Sequence, residues 1–403
     1  MIIVWVPLNR FILKADGAAR SITVLTLILI TYLSLKKNFL KIALKKPLII
    51  WGIWVIYAFF NTMHKGFEGE LPVLSFLTLL VVPYILMVLI SFLSLKNYQE
   101  LINVLIVGFY LSLIIIVLFN NNSFEDDRYG GEMNSNTVGL MSVVLLMFIY
   151  LKYFFKRISI NLFLIIASIP VIIIILTSSK TAFAGIILLY FSHLVVNRSK
   201  STVKNIFKSL AAIILLLIPL NYLINNTQLG ERILNTTEAG EELGIDTGNE
   251  FLNKFGDRGL YYYFGWKVFE DNPVTGIGLN NYKSYMDEEY SLHTEYMIQL
   301  AELGIIGFTL FFIFYFSIIK NLLGLRKIRT KRKSIEINLA FIIILLLMIT
   351  ATRMFVIWYL YTVVGIVVGF VTSEKYNNKR TKLIVKGIAK QNNTNSVILK
   401  INQ

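Results

Sequence analysis

Long apolar runs separated by short polar connections recur along nearly the whole chain, and their lengths decide the fold class before any single residue does. A helix needs about 20 apolar residues to cross ~30 Å of hydrocarbon, whereas barrel strands are shorter and alternate. The runs predict transmembrane helices over 19–35, 48–61, 71–94, 101–119, 137–152, 160–177, 181–196, 209–224, 296–319, 335–352 and 354–373. Residues 1–8 read as the stub of one more span, so the expected count is about 11, in a range of roughly 10 to 12. The expected fold is an all-α polytopic membrane protein with one large loop outside the cytoplasm. Its parts are an N-terminal bundle of about eight spans over 1–224, a loop over 225–295 carrying short surface helices, further spans over 296–373, and a basic tail over 374–403.

Charge gives these spans their sidedness. The connections Lys36 to Lys46, Lys96, Lys152 to Arg157, Arg198 to Lys208, Lys320 to Lys333 and the tail from Lys375 are basic, so they are expected in the cytoplasm and hold 27 of the 39 Lys and Arg. The alternate connections carry Glu68 and Glu70, then Glu125 to Glu132, then the acids from Glu231 to Glu295. With Glu302 they place 20 of the 24 acids outside. The long loop is therefore expected outside and the C-terminus inside. The tail, with Lys379, Arg380, Lys382, Lys386 and Lys390 among apolar residues, reads either as a solvated topology signal or as a segment lying on an anionic leaflet.

Composition agrees with this picture and removes other classes. The chain is 56% hydrophobic and 16% charged, more apolar surface than a water-soluble core can use. The formal charge of +15 does not point to nucleic acid, because the basic residues sit where membrane topology requires them. With no cysteine, the long loop must be ordered by packing and polar contacts. The apolar stretch Ile2 to Leu8 is too short for a cleavable signal and lacks a basic lead, so the first spans are expected to serve as the targeting signal.

A loop of about 70 residues exceeds what a connection needs, which marks it as the place for function. Gly259 to Phe269 is aromatic-rich at helical spacing and ends at Asp271-Asn-Pro273, so it predicts a short helix at headgroup depth. Gly276-x-Gly278 after it reads as a tight turn rather than a nucleotide cradle. A helix from Leu292 to Lys320 would be about 43 Å long, so its first two turns are expected to stand clear of the hydrocarbon. Glu295, Gln299 and Glu302 form one polar stripe on it, which must face protein or water. Gly304 and Gly307 predict a flat patch for a neighbouring helix. On residues alone, His293 reads as an interfacial histidine or as a base. Lys180, Arg258 and Arg353 are cations set against the positive-inside bias, which suggests an anionic partner, either an internal carboxylate or a ligand phosphate. Arg128 beside Asp126 and Asp127 fits the internal kind.

Together these segments resemble the O-antigen ligase and polymerase superfamily of bacterial envelope glycosyltransferases. Arg258, Trp266, Pro273, Gly276, Gly278 and Tyr282 match the first half of its pattern, and His293, Glu302, Gly304 and Gly307 match the second. Thr294 stands where that pattern has Asn, and Thr177-Ser-Ser-Lys180 resembles its Thr-x-Ser-Arg with Lys for Arg. The resemblance implies a GT-C-like bundle in the bacterial cytoplasmic membrane. It also implies a metal-independent transfer of sugar from undecaprenyl diphosphate to an acceptor glycan hydroxyl on the outer side, without a cofactor. Partners would be the lipid-linked donor, the acceptor, membrane lipids and a chain-length regulator, and no nucleic acid. Arg258, Lys180 and Arg353 would hold the diphosphate, and His293 would serve as base, with Glu295, Glu302 and Tyr282 in support. The absence of Asp-x-Asp from every outward loop agrees with a metal-free reaction. Within the superfamily a polymerase of repeat units is preferred to a ligase acting on lipid A core. A flippase, of another class, would place its polar residues at mid-membrane rather than at the outer rim.

Overall fold

The computed structural model describes residues 42–66, 73–119, 124–125, 128–129, 135–154, 157–197, 257–282, 285, 292, 294–325, 341–346 and 361–375. The expected spans 19–35 and 209–224 lie outside them, as do His293 and Arg353.

The described elements are α1 (Lys46–Lys65), α2 (Val73–Phe119), β1 (Phe124–Glu125), β2 (Arg128–Tyr129), α3 (Ser135–Phe154), α4 (Ile160–Leu176), α5 (Lys180–Asn197), α6 (Asp257–Asp271) and α7 (Glu295–Gly324), followed by helical residues 341–346 (α8) and 361–375 (α9). Among them, four stretches are long and apolar enough to cross a membrane: α1, Asn97–Leu118 within α2, Ser135–Tyr153 within α3, and α7. This is the architecture of a polytopic membrane protein. The departure from all-α among the described residues is one antiparallel ladder, Phe124↔Tyr129 and Glu125↔Arg128, in the acidic connection before α3.

Local chemistry explains where the helices begin and break. Pro47 opens α1, where its missing amide costs nothing. Ser159 caps α4 by accepting from the Leu162 amide. The expected spans 71–94 and 101–119 run into one another as α2, divided at Asn97, whose backbone leaves the helix while its side chain accepts from the Glu100 amide. That bond caps the second half, so two spans need almost no connection.

The centre of the bundle is α3, buried on all sides from Val138 to Ile149 and packed against α2, α4 and α5. The outer faces are apolar instead. Val104, Val107, Leu111, Ile114 and Leu118 line one exposed face of α2, and Leu162, Ile165, Ile169, Ile172 and Leu176 line another on α4. Continuous apolar stripes of this kind would aggregate a soluble protein, but they suit lipid. Close helix approach is achieved through Gly365 and Gly369 of α9, where an added Cβ would stand 2.8 Å from Ile90 Cβ and 2.5 Å from the Ser91 carbonyl oxygen. The small-residue contact between helices thus belongs to these glycines.

Gly304 and Gly307 do something else. At Gly304 the backbone turns to φ 63°, ψ −166°, and α7 is divided into an arm 295–303 and an arm 305–324. The uninterrupted 43 Å helix expected from Leu292 to Lys320 therefore does not form.

Candidate functional site

The two arms of α7 lie side by side. Trp54 donates from Nε1 to Gln299 Oε1 at 2.7 Å, while Trp51, stacked on Trp54 at 4.3 Å, has Phe314 at 4.6 Å on its other side. In a straight helix Gln299 and Phe314 would be about 22 Å apart, too far for neighbouring turns of α1 to touch both. The first arm is thus folded back into the bundle. Its turns, expected to stand clear of the hydrocarbon, are buried at Glu295, Ile298, Gln299, Ala301, Glu302 and Leu303.

Breaking a helix leaves amides and carbonyls without partners, which is costly away from water. Here a segment from elsewhere satisfies both new ends. Ile305 and Ile306 donate to the carbonyls of Pro273 and Val274, and the carbonyls of Ala301 and Glu302 accept from Ile277 and Gly278. The chain between Pro273 and Gly278 runs through the break backbone against backbone. An added Cβ at Gly276 (φ 68°) would lie 2.4 Å from the Glu302 carbonyl carbon, and one at Gly304 2.4 Å from the Val274 carbonyl oxygen. The glycines expected to form a tight turn do so, and Gly304 is the other half of the same passage.

The C-terminal part of α1 fastens this junction. Tyr57 donates to the Leu303 carbonyl, Asn61 to the Thr275 carbonyl, and Thr62 Oγ1 accepts from the Leu279 amide. Asn281 donates to the Gly66 carbonyl at 2.7 Å and to the Ile277 carbonyl at 3.0 Å. Trp54, Tyr57 and Asn61 were missed in the sequence. Their signal is a row of hydrogen-bonding side chains at i, i+3 and i+7 in an otherwise apolar span.

The nominated residues now have places. Glu302 accepts at Oε2 from the Asn280 amide at 2.8 Å, so this fully buried carboxylate holds the glycine turn. Gln299 donates to Glu295 Oε1 at 2.7 Å, which makes the polar stripe a hydrogen-bonded line facing α1. Tyr282 is 2% exposed at the end of the turn. Arg258 is the second residue of α6, which packs on the first arm of α7. In that contact the Tyr262 and Tyr296 rings stack and their hydroxyls are hydrogen-bonded, while Gly265 leaves room for Leu292 and Met297. Trp266 stays exposed and donates from Nε1 to Glu270 at 2.6 Å. Lys180 is half-buried at the first position of α5, directly after the buried turn Thr177–Ser178–Ser179. Ser179 accepts from the Ala182 amide, and Gly139 of α3 lies against this turn. The structure therefore joins Glu295, Glu302, Tyr282 and α6 in one assembly on α1, and it sets the Lys180 turn on α3. Among the described residues no cluster of His, Asp and Glu could hold a metal ion.

No curated protein matches the chain. Residues 162–312 match a family described as O-antigen ligase, which bears out the superfamily resemblance read from the sequence. Lys180, Arg258, Tyr282, His293, Glu295 and Glu302 all fall inside that range, and Arg353 falls beyond it.

Proposed function

Taking the O-antigen ligase domain at residues 162–312 as premise, we propose that the protein is a metal-independent glycosyltransferase that polymerises undecaprenyl-diphosphate-linked oligosaccharide units on the outer face of the bacterial cytoplasmic membrane. The observation that carries this reading is the backbone passage of Pro273–Gly278 through the break in α7. It ties α6, which bears Arg258, and the arm that follows His293 into a single buried assembly inside the matched region.

The reaction needs little from the protein beyond charge and position. The acceptor hydroxyl attacks the anomeric carbon of the donor sugar, the bond from that carbon to the diphosphate oxygen breaks, and the hydroxyl proton passes to a base. Diphosphate carries more negative charge as it leaves, so fixed cations lower the barrier most. Arg258 and Lys180 fill this role, with Arg353 as a further contact. Lys180 is helped by its position, because the N-terminus of α5 favours an anion where it disfavours a lysine. His293 takes the proton, since an imidazole titrates close to the working pH. Glu302 acts as a positioning residue through the Asn280 amide, and Glu295 does so through Gln299. Tyr282 closes the turn they support.

The match to a family described as O-antigen ligase favours a second reading, a ligase that moves finished polymer to lipid A core. Surface glycan displayed on a gel from cells carrying His293→Ala or Arg258→Ala distinguishes the two. A polymerase loses long chains and keeps single units on core, whereas a ligase leaves complete polymer on the lipid carrier. An unchanged ladder in both variants would overturn the catalytic assignment.

A further inference from the structure

At the end of α1 opposite the glycine turn, the helix ends of α1, α7 and α9 enclose a cavity of about 370 Å³. Lys45, Lys46, Lys375 and Asn321 line it together with apolar residues that include Pro47, Ile318 and Val371. Among the described residues no carboxylate lines it. The cavity has room for about ten waters, far more than a single small anion fills.

Three lysines share this opening, Lys46 and Lys375 exposed and Lys45 half-buried, so an anion seated there would meet like charge from two helix ends. Lys375, two residues past the expected span 354–373, is tethered by donating from Nζ to Asn321 Oδ1 at 2.7 Å. Burial, and then the nearby charge of Lys45, push its ammonium below the ordinary lysine value. A group held by a neutral amide beside a like charge is relieved by an anion. The apolar residues that share the lining ask for hydrocarbon attached to that anion. The α1 N-terminus at Lys46 adds its positive dipole end to the same mouth. Lys45 and Lys375 also come from two connections that the charge pattern assigns to the cytoplasmic side, so the opening stands at headgroup level.

We propose that this cavity binds the phosphodiester headgroup of an anionic phospholipid of the cytoplasmic leaflet, with the phosphate among Lys45, Lys46 and Lys375 and the start of an acyl chain against Ile318 and Val371. The site lies about 30 Å along α1 from the glycine turn and plays no part in sugar transfer.

The test uses the purified full chain, delipidated in detergent, titrated with phosphatidylglycerol or phosphatidylcholine and read by native mass spectrometry. Phosphatidylglycerol is retained in preference. The double variant Lys45→Gln with Lys375→Gln weakens that retention about 25-fold, at about fivefold for each lysine. Thr372→Trp keeps every lysine but fills the cavity, and it gives the same loss should the double variant fail to fold. Equal retention of the two lipids, or equal retention by wild type and both variants, overturns the proposal. Displacement by inorganic phosphate also overturns it, because the cavity is then a site for a free anion. The readout involves no glycan, so its failure leaves the transferase reading untouched, and the reverse holds too.

Discussion

A methyl group added at Gly304 would meet the Val274 carbonyl oxygen at 2.4 Å, and the positive φ there would strain any side chain wherever it found room. Neither atom can step aside, since both belong to backbone held by the bonds from Ile305 to Pro273 and from Ile306 to Val274. Gly304→Ala should therefore cost about 3 kcal/mol or more, seen as a clear fall in thermal midpoint in detergent. Gly324→Ala is the comparison, because an added Cβ there meets nothing within 4 Å. Equal midpoints for the two variants would show that the break in α7 is not required. Gly276 and Gly278 read as a tight turn in the sequence, because a lone Gly-x-Gly is weak evidence for a phosphate cradle, and they form one. The sequence suggested the wrong use for Gly304. A glycine within an apolar run reads as a packing notch or as a break, and the contact that decides between them comes from 30 residues upstream.

At the scale of elements, the first arm of α7 depends on α1 through a short line of buried polar groups, Trp54 to Gln299 to Glu295. Gln299→Leu removes the bonds that Gln299 makes to the Trp54 N–H and to Glu295, at a cost of about 1–3 kcal/mol. Trp54→Phe removes the first of these bonds from the other side, so the double variant should lose less than the two singles together. Hydrogen bonds within membranes couple weakly, and the expected difference is about 1 kcal/mol, measured as a double-mutant cycle in a denaturant titration. Additive losses would mean that the bond between Trp54 and Gln299 does not hold the arm to α1. Helix limits were legible because they follow from local hydropathy: 137–152 became Ser135–Phe154, 160–177 became Ile160–Leu176, and 181–196 became Lys180–Asn197. The folded-back arm was not. Helical periodicity continues on both sides of Gly304, and the bonds that compensate the break are entirely non-local. The stripe Glu295, Gln299, Glu302 did announce that this face meets protein, and that partner is α1.

For the whole molecule, α1 links two differently built ends. One is polar and threaded by the glycine turn, and the other carries three lysines around a cavity. The charge pattern assigns the first to the outside and the second to the cytoplasm, and sugar transfer from a lipid carrier outside the cell requires that order. Because the chain contains no cysteine, each side can be read from one introduced thiol without a background. Glu270 and Lys320 are both exposed, the first on α6 and the second towards the far end of α7. Single replacements change the charge balance too little to redirect a segregation of 27 basic residues against 20 acidic ones. In intact spheroplasts a membrane-impermeant maleimide should label Glu270→Cys within minutes and leave Lys320→Cys unlabelled until the membrane is permeabilised. The opposite order would put the glycine turn in the cytoplasm, and a reaction on outer-leaflet donor would then be impossible at that site. Labelling of both in intact cells would instead mean that the chain does not hold one orientation.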